Sequence, residues 1–235
     1  MQQNPSLEHF KEGQILLFDK PLGWTSFQVV NKVRWLIKKA YGIKKIKVGH
    51  AGTLDPLATG LLIICTGKFT KRIEEFMGQE KEYTGTITLG ATTPSYDLET
   101  EIDATFPLGG ITEEQIKATT PQFTGIIQQR PPIFSALKKE GRRLYEFARA
   151  GEEVEIPERE VHIREFEITR VAIPEVDFRV ACSKGTYIRS LAHDFGKALN
   201  NGAHLSALRR TKIGSFEVKN ALNIAEFEAL LTKSQ

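Results

Sequence analysis

Two periods of apolar residues run along the chain. "QILLFDK" reads as a strand and "LLIIC" as a buried strand, whereas "TSFQVVNKVRWLIKKAYG" places Val30, Val33 and Ile37 on one helical face. That helix is opened by Thr25 or Ser26 and closed at Gly42. "YTGTITLG" sets β-branched residues at period two. "TEEQIKATT" carries capping-box spacing from Thr112 to Gln115, and "RRLYEFARAG" predicts a short helix ending at Gly151. "EVHIREFEITRV" and "EVDFRVAC" alternate as antiparallel strands around a turn at Pro174. "TYIRSLAHDFGKALN" returns to helical spacing through Ile188, Leu191, Ala192, Phe195 and Leu199. A strand at "TKIGSFEV" and a helix at "NIAEFEALL", begun by Asn223 with Glu226 three residues on, complete the pattern.

Strands in hairpin-like pairs separated by helices predict an α+β fold: a mixed, largely antiparallel central sheet flanked by helices, not a doubly wound parallel one. The absence of a fixed-period repeat or low-complexity tract predicts one main domain over residues 1–235. The segment from about Gly125 to Pro157 is Pro-rich, basic and poorly patterned for the core, which suggests a protruding excursion able to contact a partner.

Composition fits a folded chain able to bury a core: 235 residues, 40% hydrophobic and 26% charged. No apolar run approaches the roughly 20 residues of a membrane span, and the polar start "MQQNPSLEHFKEGQ" lacks a signal-peptide core, so a cytoplasmic protein without membrane contact is expected. Two cysteines, Cys65 and Cys182, lie in apolar runs and read as buried thiols. The net charge of +3 says little by itself. Its distribution says more, because basic residues gather at Lys38, Lys39, Lys44, Lys45 and Lys47, at Lys138, Lys139, Arg142 and Arg143, and at Arg209, Arg210 and Lys212, while acids gather in "GEEVEIPERE". Solvated surface explains any one cluster; three together point to a polyanionic ligand.

One carboxylate stands out, Asp55 in "GHAGTLDPLATG". Aspartate before proline is a common helix start, and that reading stands beside a functional one. Glycines at 49, 52 and 60 permit unusual backbone angles, and the loop runs straight into "LLIIC", at the edge of a low-dielectric region. His50 nearby could be an acid or base, a stacking surface or a structural residue. Dinucleotide, P-loop, zinc and serine-hydrolase signatures are missing and the five histidines are scattered, so chemistry without metal or cofactor is expected. "CSKGTYIRSLAHD" places Tyr187 and Arg189 at a helix start, where both could merely pack or face solvent. Alternatively, Arg189 could hold Asp55 ionised and oriented through an ion pair.

These segments, with "DKPLGWTSFQVVNKVR", "KEYTGTITLG", "QRPPIFSALKKEGRRLYEFARAG" and "GAHLSALRRTKIGSF", resemble the TruB family of bacterial pseudouridine synthases in order and over nearly the whole chain. The resemblance implies the pseudouridine synthase fold and isomerisation of uridine 55 in the T loop of tRNA by a monomer needing no guide RNA. Asp55 would be the catalytic aspartate, bonding to the sugar, bonding to the base or acting through a glycal. Arg189 would pair with it and Tyr83 would stack on the target base, with Tyr187 and Leu208 walling the pocket. His50 would intrude into the RNA vacated by base flipping, Lys20 and Pro21 would border the site, and Asp97 would act from its own loop. Lys138 and Arg142 would lie in an RNA-gripping insertion, about 125–157. Against the family pattern, Pro94 and Thr100 replace aspartate and glycine, Phe134 replaces tyrosine, and a full C-terminal PUA domain is not expected. A guide-RNA-dependent catalytic subunit and a non-catalytic RNA chaperone are the competing readings.

Overall fold

The computed structural model describes residues 6–139 and 141–232, so the ends of the polar N-terminal stretch and of the C-terminal segment lie outside the described residues. The first elements are α1 (Leu7–Glu12), β1 (Ile15–Lys20), α2 (Ser26–Tyr41), β2 (Val48–Ala51), β3 (Ala58–Thr66), α3 (Ile73–Met77) and β4 (Lys81–Leu89). Next come β5 (Ala91–Thr92), β6 (Ala104–Thr105), α4 (Glu113–Thr119), β7 (Gly125–Gln129), β8 (Lys138–Lys139), β9 (Arg142–Arg143) and α5 (Leu144–Ala150). Then follow β10 (Arg159–Ala172), β11 (Glu175–Cys182), α6 (Ile188–Ala198), β12 (Ala203–Ile213), β13 (Phe216–Glu217) and α7 (Ile224–Thr232). The fold is α+β, with a largely antiparallel sheet and flanking helices. The chain forms two compact units: residues 1–82 with 209–235, and residues 83–208.

In the first unit the strand order is β1-β3-β12, with β2 also on β3 and β13 on β12. β1 pairs antiparallel with β3 from Lys20↔Gly60 to Ile15↔Cys65, and β2 pairs antiparallel with its far half. Alternation explains the apolar run of β3, because its side chains feed two cores. Leu62 and Ile64 pack with Val29, Val33 and Ile37 of α2 and Phe227 of α7. Leu61, Ile63 and Cys65 pack with Phe76 and Ile213 instead. α2 begins as the spacing predicts, with a Thr25–Gln28 capping box, and ends on left-handed Gly42.

In the second unit the order is β12-β4-β11-β10-β7. β10 pairs antiparallel with β11 and β7, and Phe166 meets Phe123, Phe178 and Phe195 edge-to-face, with Phe123 tilted against Phe195. The capping box at Thr112 is present and opens α4, whose Ile116 is fully buried.

Two expectations need correction. "TKIGSFEV" is no single strand: β12 begins at Ala203, turns at left-handed Gly214, and returns as β13. The excursion also starts later than about 125, because Gly125–Gln129 is β7, in register with Ile163–Arg159 of β10. What leaves the sheet is the segment after Gln129, with the β8–β9 ribbon and α5.

Candidate functional site

Asp55 starts no helix. The Ala58 N–H donates to the Asp55 carbonyl at 3.1 Å, closing a turn that feeds directly into β3, and the Asp55 side chain is left half-buried. The helix-start reading of Asp55–Pro56 therefore fails, and the turn is held through its backbone. The Leu54 N–H donates to Ser26 Oγ at 2.9 Å, fixing the turn to the first residue of α2. The Gly23 N–H donates to the Pro56 carbonyl at 2.9 Å.

Two buried cations complete the hold. Lys20 is fully buried at the end of β1, and its Nζ donates to the carbonyls of Trp24 (2.6 Å), Pro21 (3.0 Å) and Pro56 (3.4 Å). Burial pushes its pKa down to about 8; the Asp55 carboxylate acts against that shift and Arg210 adds to it. Arg210, 1% exposed on β12, donates Nε to Leu61 O (2.8 Å), Nη2 to Gly52 O (3.1 Å) and Nη1 to Thr53 O (3.4 Å). Gly60 has φ +104°, and a side chain there would collide with the Arg210 backbone, so the close crossing of these strands requires glycine. His50, on β2, is half-buried, and burial and then Arg210 push its pKa down, which keeps it neutral near pH 7. A neutral ring suits stacking better than phosphate contact.

In the second unit the helix of "CSKGTYIRSLAHD" is α6. Arg189, 4% exposed, donates Nη1 to Phe134 O (2.9 Å) and Ser95 O (3.2 Å), and its Nε lies 3.6 Å from Asp97 Oδ2. Asp97 is thus a buried counter-charge to Arg189. The unusual residues here are absorbed locally. Pro94 occupies the second position of the Thr93–Tyr96 turn, where its fixed φ suits the backbone. Thr100 Oγ1 accepts from the Ser95 N–H, and Phe134 serves Arg189 through its carbonyl, which needs no tyrosine hydroxyl. Tyr83 is buried on β4 and Leu208 half-buried on β12. Tyr187 caps α6, fixed by a two-way amide contact with Gln129, and the Arg159 guanidinium lies 4.7 Å from its ring centre.

The three basic clusters diverge. Lys38, Lys44, Lys45 and Lys47 line a cleft of about 710 Å³ with Lys11, Arg34, Lys68 and Lys71. Lys138, Arg142 and Arg143 are exposed, but the acids expected to gather elsewhere fold back here: Arg142 makes a double contact with Glu152 at 2.9 and 3.2 Å. The third cluster is largely consumed internally. Arg209 makes two bonds to Asp19 (2.6 and 3.0 Å), Lys212 lies 3.6 Å from Glu82, and Arg210 is the buried clamp. A signal for that clamp was present in "LRRTK", because neighbouring residues of a strand face opposite ways and one of two adjacent arginines on a half-buried strand must point inward.

Residues 38–188 match the TruB family pseudouridylate synthase (N terminal domain), and residues 189–235 match the tRNA pseudouridylate synthase B C-terminal domain. The chain belongs to the TruB family. Relatives named tRNA pseudouridine synthase B include one from Flavobacterium johnsoniae, 67% identical over 95% of this chain and 98% of the relative, and one from Phocaeicola vulgatus, 56% identical over 97% of each. Among solved structures, a chain of a Cbf5-Nop10-Gar1 complex is 31% identical with a TM-score of 0.70, covering 94% of this chain and 55% of that longer one. The TruB family assignment makes the protein an enzyme, an isomerase that forms pseudouridine.

Proposed function

We propose that this enzyme converts uridine 55 in the T loop of tRNA to pseudouridine, with Asp55 as the catalytic aspartate. The observation that carries the reading is the Asp55 turn, whose backbone is locked by Lys20, Ser26, Gly23 and Arg210 while its carboxylate stays half-exposed. A rigid turn presenting one carboxylate suits a reaction in which the departing uracil leaves an electron-poor sugar carbon. The carboxylate can trap that carbon, attack the base, or remove the neighbouring sugar proton on the way to a glycal, and each route needs open approach to the acid. The target base must first be everted, at a cost of a few kcal/mol that stacking on Tyr83 and entry of the neutral His50 ring into the vacated space would offset.

Arg189 belongs to the same catalytic event in this reading, and Tyr187 and Leu208 shape the pocket. Lys20 and Pro21 act from beneath, as the support of the Asp55 turn. The cleft around Lys44, Lys45 and Lys47 and the exposed Lys138 and Arg142 supply phosphate contacts. In this reading the enzyme acts on tRNA as a monomer in the cytoplasm, without a guide RNA.

The test is tritium release from C5-labelled uridine in unmodified tRNA, with purified protein, EDTA and no guide RNA. Wild type releases tritium stoichiometrically, and Asp55→Asn abolishes release while binding tRNA with affinity close to wild type. Release by Asp55→Asn at the wild-type rate would remove Asp55 from the chemistry.

A further inference from the structure

Tyr96 sits between the two residues of its loop that hold Arg189: the Ser95 carbonyl accepts from Nη1 at 3.2 Å, and Asp97 Oδ2 lies 3.6 Å from Nε. Its own backbone is left-handed, φ 63°, a conformation that disfavours any residue with a branched or bulky side chain. The main chain there is already tied down, with the Tyr96 N–H donating to Thr93 O and its carbonyl accepting from the Leu205 N–H, both within 3.1 Å. These bonds are made by the backbone and would serve glycine as well, so they do not explain an aromatic ring in a left-handed position.

Among the described residues the ring stacks on one other ring. It lies flat on His193, with centroids 3.9 Å apart and planes inclined by 15°. His193 is one helical turn beyond Arg189 on α6, on the same face. Burial pushes the pKa of His193 down to about 4, with Lys197 adding to the shift and Asp103 opposing it, so at pH 7 the stack joins two neutral rings. The helix that carries Arg189 and the loop that receives it are therefore joined twice, by the guanidinium contacts and by the stack one turn away.

We propose that Tyr96 and His193 form a clasp that fixes the rotation of the 95–97 loop against α6 and so orients the Arg189 guanidinium, making both of them positioning residues for the reaction. The proposal rests on the assignment of Arg189 to catalysis. The clasp acts on a group whose orientation matters at the chemical step, so its removal falls on kcat and leaves KM for tRNA nearly unchanged.

Tyr96→Gly isolates the stack, because glycine adopts φ 63° without strain and keeps every backbone bond. It is expected to lower single-turnover kcat about 10- to 100-fold, with KM within about twofold and Tm close to wild type. His193→Ala gives a similar fall, and the double variant is no slower than either single one, since both break the same stack. Tyr96→Phe keeps the ring and restores kcat. Wild-type kcat in Tyr96→Gly and His193→Ala, alongside an inactive Arg189→Ala, overturns the clasp. An effect confined to KM overturns it as well. Full activity in Arg189→Ala overturns the assignment beneath it, and the clasp with it.

Discussion

The Asp55 turn and the Arg189 cradle solve the same problem in opposite ways. Around Asp55 the buried cations Lys20 and Arg210 hold the chain through hydrogen bonds to backbone carbonyls, and the acid they support stays half-exposed. In the cradle the buried cation is the group that is held, and carbonyls with one carboxylate aim it. The first arrangement holds the chain through its backbone carbonyls; the second holds a charged side chain through the carbonyls around it. Damage to the Asp55 frame should therefore cost stability and activity together, while damage around Arg189 should cost rate alone.

The largest effect that tests this contrast comes from removing the Arg210 clamp. Arg210→Met leaves three carbonyls, at Leu61, Gly52 and Thr53, without their donor in a buried crossing of strands. A destabilisation of about 2–5 kcal/mol is expected, read as a lower denaturant midpoint with an unchanged slope, together with a fall in kcat. Arg210→Lys, which can reach fewer of these acceptors, should lie between. Arg210→Met with wild-type stability and reduced rate would erase the distinction between frame and cradle.

Local chemistry made much of this frame readable in advance. The Thr25 cap, the Gly42 stop, the β3 run and the Thr112 box each depend on residues adjacent in sequence, and each stands where the pattern puts it. The resemblance named Asp55, Arg189 and Asp97, but their supports come from distant segments. Arg210 reaches Gly52 across 158 positions, and Arg189 reaches Ser95 across 94, separations at which periodicity carries no information. The RR pair read as a patch of charge although strand alternation already required one of the two to point inward; strand pairing decides that it is Arg210, facing the carbonyls of Leu61, Gly52 and Thr53, while Arg209 meets Asp19. The β8–β9 ribbon and β7 were missed in a segment with few apolar residues at a regular period, where a strand is decided by its partner, as β10 decides β7.

An intermediate effect separates the two regions by pH. Lys20 carries its charge below about 8 and loses it as pH rises through that value, which leaves a two-donor amine facing three carbonyls. Activity should therefore fall on an alkaline limb near pH 8, the value to which burial lowers Lys20, measured as kcat/KM by tritium release on both sides of it with tRNA folding checked at each point. Lys20→Arg holds its charge through that range, so whatever activity it retains should show the limb displaced upward. A limb unmoved in Lys20→Arg would assign it to another group and leave the Asp55 frame insensitive to this proton.

The smallest effect concerns charges that look alike in sequence and differ in commitment. Arg142 and Glu152 meet in solvent, where an ion pair is readily exchanged for a phosphate, and Lys138 is exposed beside them. Arg209 makes its two contacts to Asp19 at 2.6 and 3.0 Å, against 2.9 and 3.2 Å for Arg142 on Glu152, and Asp19 is 33% exposed against 48% for Glu152, an arrangement that competes better with an incoming phosphate. Changing Lys138, Lys139, Arg142 and Arg143 together to Ala should weaken tRNA binding and flatten the plot of log affinity against log salt by about one unit for each phosphate no longer neutralised. Arg209→Gln should leave that slope unchanged and shift stability by about 1 kcal/mol or less. Equal slopes for the wild type and the quadruple variant would show that the ribbon keeps its charges for Glu152 and its neighbours, which would make the Lys44–Lys47 cleft the principal phosphate-binding surface of the enzyme.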